Sequence, residues 1–284
     1  MHYSARVGPQ TEVAYVDQLR HARSFLFVPG DRPERFDKAL ASGADIVVLD
    51  LEDAVAAKEK DQARINVATW LRRGHQAVVR INSAGTPWFE ADVLAFSGLA
   101  EALMLPKAEA ESDIERLPDD VAVIPLIETS IGVVAAAEVC RARGVVRAAF
   151  GSIDLATELG IEHTARVSLR HARSAIVLAC AAAGLPGPVD GVTTAFEDPA
   201  SLLDDLAEAR GLGFTGKLCI HPRQISIVQE RLAPSDAEIR WARAVVARSA
   251  DGAATSLDGQ MIDRPVLLRA QALLERADLP SHSR

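Results

Sequence analysis

A chain of 284 residues is long for one ordinary domain and falls within the range of a single large α/β fold. Its 49% hydrophobic content supplies a sizeable core, and with 5% aromatic residues the packing must rest on Ala, Val, Leu and Ile, the usual filling of buried parallel strands. A formal net charge of −8 argues against a nucleic-acid partner, which needs a basic field, but leaves room for a phosphorylated small ligand held by a few local cations.

Cys140, Cys180 and Cys219 are widely spaced and sit in apolar runs, so they read as buried thiols of a reducing compartment and not as a disulfide framework or metal site. No apolar run approaches the roughly 18 residues of a membrane span, so no membrane partner is expected. The segment Met1–Arg20 is mixed polar and lacks the apolar centre of a signal peptide. A cytoplasmic protein is expected.

In chain order, eight short β-rich runs alternate with longer segments of helical period: Ser24–Pro29, Ile46–Leu51, Ala77–Asn82, Ala102–Pro106, Val121–Ile127, Arg147–Gly151, Gly187–Asp190 and Lys217–His221. Alternating β and α units predict a parallel sheet, and eight of them predict closure into a (β/α)₈ TIM barrel. The seventh run is short and rich in Gly and Pro; if it fails as a strand, an open doubly wound sheet is the alternative. Ser201–Arg210 reads as a helix stopped by Gly211. The segment Gly211–Gly216 fits a dinucleotide G-x-G-x-x-G pattern, but it follows a helix and precedes a strand, the reverse of the order that motif requires.

After the barrel, Asp236–Ala250 reads as a helix, Asp251–Thr255 as a linker, Asp258-Gly259 as a turn, and the segment from about Pro265 as a final helix. The expected organisation is an N-terminal arm over residues 1–22, a catalytic barrel over 23–235, and a C-terminal lid or arm over 236–284.

Polar residues follow the apolar runs. Glu52 and Asp53 close the second, Arg80 and Asn82 belong to the third, Lys107 follows the fourth, Glu128 the fifth, Asp154 the sixth, and His221 the eighth. In a barrel these ends share one face, where barrel active sites are built. Helix capping by Asp53, Thr129 or Ser152 is the competing explanation, yet capping calls for neither Arg80 nor Lys107. Glu128 and Asp154 lie about one βα repeat apart. On adjacent strands, roughly 4.8 Å apart, they either share a hard cation such as magnesium or pair with Arg80 or Lys107. Arg80 suits a carboxylate or enolate oxygen, or a salt bridge to Glu52 or Asp53. His221 is a thioester contact, an acid–base group or a satisfied polar residue.

The segments RSFLFVPG (Arg23–Gly30), VVLDLEDAV (Val47–Val55), VRIN (Val79–Asn82), LPKAE (Leu105–Glu109), PLIETSIG (Pro125–Gly132), FGSIDLATELG (Phe150–Gly160), GKLCIHPRQI (Gly216–Ile225) and GQMIDRP (Gly259–Pro265) resemble, in order, those of citrate lyase beta-subunit-like enzymes within the aldolase and citrate lyase group. The resemblance runs from Arg23 to about Arg269. It implies that Glu128 and Asp154 bind Mg²⁺, that Arg80 contacts substrate, and that Asp263 is supplied across a subunit interface as the acid–base group, in a homo-oligomer such as a trimer or hexamer. Read without the resemblance, Asp263 is only a residue before a helix. Lys38 matches a basic position that holds coenzyme A phosphates in relatives; Glu34 stands where relatives can carry another lysine, with Arg32 and Arg35 beside it. Phe27 stands where an aromatic ligand contact occurs.

The implied reaction is retro-Claisen cleavage of a 3-hydroxy-acyl coenzyme A thioester to a 2-oxo acid and acetyl-coenzyme A or a homologue. Two alternatives remain open from the sequence: a pyruvate-type class II aldolase acting on free 4-hydroxy-2-oxo acids, and an acyl-carrier-dependent subunit of a citrate lyase complex.

Overall fold

The computed structural model describes residues 9–249, 255–257 and 260–277. Each of the eight runs forms a strand: β1 Ser24–Pro29, β2 Ile46–Asp50, β3 Val78–Arg80, β4 Ala102–Leu105, β5 Ala122–Ile127, β6 Ala149–Phe150, β7 Val189–Asp190 and β8 Gly216–Cys219. They pair in parallel in sequence order, and β8 pairs back onto β1 through Phe25 opposite Leu218, closing the barrel. β7 is only two residues long, yet Val189 pairs with Ala149 on one side and Gly216 on the other. That short strand is enough to exclude the open sheet.

Side chains alternate between two environments, as strand geometry requires. Phe25, Val48, Val78, Met104, Ile124 and Leu218 fill the lumen. Val47, Leu49, Val79, Leu103, Val123 and Phe150 pack outward against the helices. The inward parity of Ile46 and Val48 continues to Asp50, that of Val78 to Arg80, and that of Ile124 and Leu126 to Glu128. Apolar side chains therefore fill the lower lumen, and charged ones line its C-terminal mouth.

The expected N-terminal arm contains a helix, Pro9–His21, that closes the opposite end. Tyr15 and Leu19 join the lumen cluster. The fully buried Arg147 guanidinium donates to Leu19 O at 3.0 Å, Ala22 O at 2.6 Å, Gly187 O at 3.1 Å and Thr215 Oγ1 at 2.9 Å. One side chain thus satisfies the carbonyls left free at the end of this helix.

The helix expected at Ser201–Arg210 runs from Pro199 to Leu212, so Gly211 is not its stop. Gly213 is, because it alone adopts the left-handed conformation there, at φ 109°. The Gly211–Gly216 segment is accordingly a helix end and loop leading into β8, and no strand precedes it to cradle a pyrophosphate.

The C-terminal extension begins with helix Asp236–Arg248, opened by a Ser235–Glu238 capping box. β9 (Thr255–Leu257) and β10 (Gln260–Ile262) pair antiparallel, and helix Arg264–Ala277 follows. Of the linker expected at Asp251–Thr255, Thr255 instead opens β9; residues 251–254 and the turn expected at Asp258-Gly259 lie outside the described residues. Ala242, Val245, Ile262, Ala270 and Leu273 form a core separate from that of the barrel. The extension is tied to the barrel by polar links, Arg23 Nη2 to Arg276 O at 3.0 Å and Arg276 Nη2 to Leu232 O at 3.1 Å. All three cysteines are buried thiols. Among the described residues no helix is long and apolar enough to cross a membrane.

Candidate active site

Asp50, at the end of β2, organises the mouth. It is fully buried and accepts a bidentate pair from Arg80, Nε to Oδ1 at 2.7 Å and Nη2 to Oδ2 at 2.6 Å. The same carboxylate accepts the N–H groups of Glu52 at 2.9 Å and Ala54 at 3.2 Å, and so folds the loop after β2. Lys60 secures that loop from below by donating to Leu51 O and Glu52 O, each at 2.8 Å. Glu52 is thereby turned into the mouth, where its Oε2 lies 3.1 Å from Arg80 Nη1 and its Oε1 accepts from Lys107 Nζ at 2.6 Å. Phe27 covers Arg80, with the guanidinium carbon 4.6 Å from the ring centroid. Burial disfavours the Arg80 charge, but Asp50, Glu52 and Glu128 outweigh that and raise its pKa.

Glu128 and Asp154 complete the group. Glu128 is 2% exposed, and its Oε1 accepts the Lys107 backbone N–H at 3.0 Å. Asp154 lies in the first turn of helix Ser152–Leu159. Lys107 Nζ stands 3.9 Å from Glu128 Oε1 and 3.6 Å from Asp154 Oδ1. Four carboxylates, Asp50, Glu52, Glu128 and Asp154, thus face two cations, Arg80 and Lys107. The imbalance is felt most by Glu128: burial first, then the charges of Asp154 and Glu52, push its carboxyl up to about 8. Glu52 is also raised, by burial, against the opposing pull of Arg80 and Lys107.

This donor set fits magnesium. The candidate ligands are hard carboxylate oxygens, and the surrounding charge is short of positive partners. Glu52 Oε2 is buried and, apart from its ion contact with Arg80, has no hydrogen bond. Among the described residues no three Asp, Glu, His or Cys side chains converge as a closed cage. Magnesium characteristically takes one or two protein carboxylates and fills its other positions with water or substrate oxygen, so an open pair is the arrangement to expect.

Gly151 makes room for Glu128. A methyl group on its Cα would overlap Glu128 Cβ and Oε2. Gly151→Ala is expected to displace the Glu128 carboxylate, to cost about 1–3 kcal/mol of stability from overpacking, and to weaken magnesium binding. Urea unfolding and metal titration of the variant check both effects.

The other expected site residues lie apart from this centre. Asp53 is exposed at the rim, close enough for its charge to act on Glu52 and Lys107. Lys38 is exposed on helix Phe36–Leu40. His221 stacks on Phe196 with centroids 4.9 Å apart, and its Nδ1 accepts from Arg223 N–H at 3.2 Å. Asp263 is exposed, and its Oδ1 caps the last helix by accepting from Val266 N–H at 3.1 Å. Of the residues considered as caps, Thr129 is one, accepting from Gly132 N–H at 3.1 Å. A cavity of about 350 Å³ opens between the ends of β6 and β7 and helix Arg166–Ala182, lined by Ser152, His163, Arg173, Thr193 and Asp205 among others; none of the four carboxylates lines it.

Sequence reasoning missed Asp50. Its signal was the inward parity of Ile46 and Val48, which falls next on Asp50, the last residue of β2, directly opposite Arg80 in register.

A closed parallel barrel with acids and an arginine gathered at its C-terminal mouth defines a (β/α)₈ protein with an enzyme-type site. Residues 23–222 match the HpcH/HpaI aldolase/citrate lyase family, and the chain belongs to that family. It is 41% identical over 262 residues to a citrate lyase subunit beta-like protein of Mycobacterium tuberculosis, across 89% of this chain and 94% of the relative. It is 35% identical over 276 residues to a (3S)-malyl-CoA thioesterase of Cereibacter sphaeroides, across 92% and 96% respectively. The crystal structure of protein CitE from Mycobacterium tuberculosis, in complex with magnesium, acetoacetate and coenzyme A, superimposes with a TM-score of 0.78 at 40% identity, covering 91% of this chain and 99% of that one.

Proposed function

We propose that the protein is a magnesium-dependent carbon–carbon lyase that cleaves, or in reverse forms, a 3-hydroxy-acyl thioester of coenzyme A. The observation that carries this reading is the pairing of a buried Glu128 with Asp154 beside an immobilised Arg80, in a family whose solved relative holds magnesium, a 3-oxo acid and coenzyme A. Bound by Glu128 and Asp154, magnesium supplies Lewis-acid polarisation of the forming carbonyl. Arg80, fixed by Asp50 and covered by Phe27, presents its remaining donor edge to the oxygen on which charge develops. Glu52 holds Arg80 from the other side. Asp53 and His221 are assigned contacts with the thioester at the rim, and the exposed Lys38 a contact with a phosphate of the coenzyme. A cytoplasmic location fits a coenzyme A substrate.

Asp263 is assigned the proton transfer at the thioester α-carbon. In a single chain its described contacts are confined to its own helix. Its extension has its own small core and is joined to the barrel through polar links, which supports a site completed by an arm from a neighbouring subunit in a homo-oligomer. The test is solvent exchange of the acetyl-coenzyme A methyl protons in deuterated buffer. Asp263→Asn is expected to lose exchange about 10²–10⁴-fold while binding magnesium as the parent does; unchanged exchange removes Asp263 from the mechanism.

The match to a malyl-CoA thioesterase favours a second reading, hydrolysis of the thioester. The products separate the two: a lyase gives a 2-oxo acid and an acyl-coenzyme A, a thioesterase a hydroxy acid and free coenzyme A.

A further inference from the structure

Lys107 is the only described non-glycine residue with a positive φ, at 52°, a conformation that disfavours a long L side chain. That backbone geometry has two results at once. Its N–H is aimed at Glu128 Oε1, at 3.0 Å. Its side chain is turned back so that Nζ lies 2.6 Å from Glu52, 3.6 Å from Asp154 and 3.9 Å from Glu128. The ammonium therefore stands among the carboxylates assigned above to magnesium.

The two cations of the mouth are held very differently. Arg80 has an 11% exposed side chain and is locked by the bidentate contact with Asp50. Lys107 has a 35% exposed side chain, no bidentate partner, and a flexible four-carbon stem carrying a compact, strongly hydrated charge. One cation is fixed. The other has a route to water.

We propose that Lys107 is a tethered counter-ion that holds the place of the divalent cation in the metal-free protein and withdraws when that cation binds, so that it weakens metal affinity while preserving the folded mouth. This rests on the magnesium reading above. A divalent ion between Glu128 and Asp154 and an ammonium within 4 Å of both repel each other, so part of the binding free energy of the metal is used to displace the ammonium. Glu52, which is not among the two assigned ligands, is the anchor to which the ammonium retreats. Lys107 acts as a positioning residue through its N–H and as a competitor through its side chain, and these two roles make opposite predictions for a neutral replacement.

The test titrates magnesium chloride into chelator-stripped full-length protein by calorimetry, with thermal unfolding followed in parallel. Lys107→Asn removes the charge with a residue that tolerates positive φ, and Lys107→Gly removes it at no steric cost. Both are expected to bind magnesium about tenfold tighter or more, and to unfold at lower temperature than the parent without metal, with the gap closing at saturating magnesium. Lys107→Arg, which keeps the charge, should bind within about threefold of the parent. A lost structural role alone would weaken binding and stability together. Equal or weaker binding by the neutral variants overturns the proposal while leaving the metal site standing, and so does tightening in Lys107→Asn but not Lys107→Gly, which would make the amide oxygen a ligand. If neither the parent nor any variant binds magnesium, the metal reading itself fails and the proposal with it.

Discussion

Glu128→Gln is expected to leave a folded protein that no longer binds magnesium usefully, with thioester cleavage reduced by about 10³-fold or more. Loss of Lewis-acid stabilisation removes several kcal/mol, and each ~1.4 kcal/mol is a factor of ten in rate. The metal-free fold should tolerate the change because Glu128, with its carboxyl pushed up to about 8 by burial and by Asp154 and Glu52, is mostly protonated at neutral pH. The amide has nearly the shape of that neutral carboxyl, and its oxygen can still accept the Lys107 N–H.

The same raised pKa gives a pH signature. Between the ordinary carboxylate value and about 8, the folded metal-free protein holds a proton that the unfolded chain has released. This group's contribution to metal-free stability therefore falls as pH rises through that window. Magnesium needs the ionised form, so its affinity should climb with pH until it levels above about 8, and binding at pH 7 should release a proton. Calorimetry in buffers of different ionisation enthalpy reads that release directly. A pH-independent affinity in the parent protein would remove Glu128 from the ligand set.

Arg80→Lys should reduce turnover by about 10²–10³-fold, the usual cost of losing a preorganised donor at a developing oxyanion, with a much smaller effect on magnesium affinity. The charge survives in this variant. The fork that grips Asp50 at 2.7 and 2.6 Å and reaches Glu52 at 3.1 Å does not. The ammonium would pair with Asp50 or Glu52 and leave the substrate side without a rigid donor. Arg80→Met is the harsher variant: it strands the buried Asp50 and Glu52 without their partner and is expected to cost about 3–5 kcal/mol of stability. A split between the two variants, with the lysine protein folded but slow and the methionine protein unstable, separates the catalytic from the structural share of Arg80. Unimpaired turnover in Arg80→Lys would show that no bidentate donor is needed.

The barrel was legible because its signal is repetitive. Eight apolar runs at βα spacing survive trimming at their ends, and even a seventh strand reduced to Val189 and Asp190 keeps its place between its neighbours. The same spacing anticipated that Glu128 and Asp154 come near each other, although Asp154 stands in the first turn of helix Ser152–Leu159 and not on a strand next to Glu128. What stayed hidden depends on side-chain direction. Asp50 lies inside the apolar run Ile46–Leu51, although it is the last residue of β2, so reading the charged residues that follow each run passed over it. Lys107 was visible as a strand-end cation, but its left-handed backbone, and hence its turn back over the carboxylates, has no local sequence cue such as glycine or asparagine. The helix Pro9–His21 was obscured by its mixed polar sequence; among its described side chains, Tyr15 and Leu19 are the buried ones and join the lumen cluster. Gly211 misled because two glycines compete at one helix end, and the left-handed position at Gly213 decides between them.

The most direct test of the proposed chemistry is to incubate the purified single chain with malyl-, citramalyl-, methylmalyl- and citryl-type coenzyme A thioesters, with and without magnesium, and to identify the products. Release of a 2-oxo acid together with acetyl-coenzyme A or a homologue from at least one of them, abolished by chelation, is the expected result. Cleavage of free 4-hydroxy-2-oxo acids with no thioester turned over, or a hydroxy acid and free coenzyme A as the sole products, would contradict it.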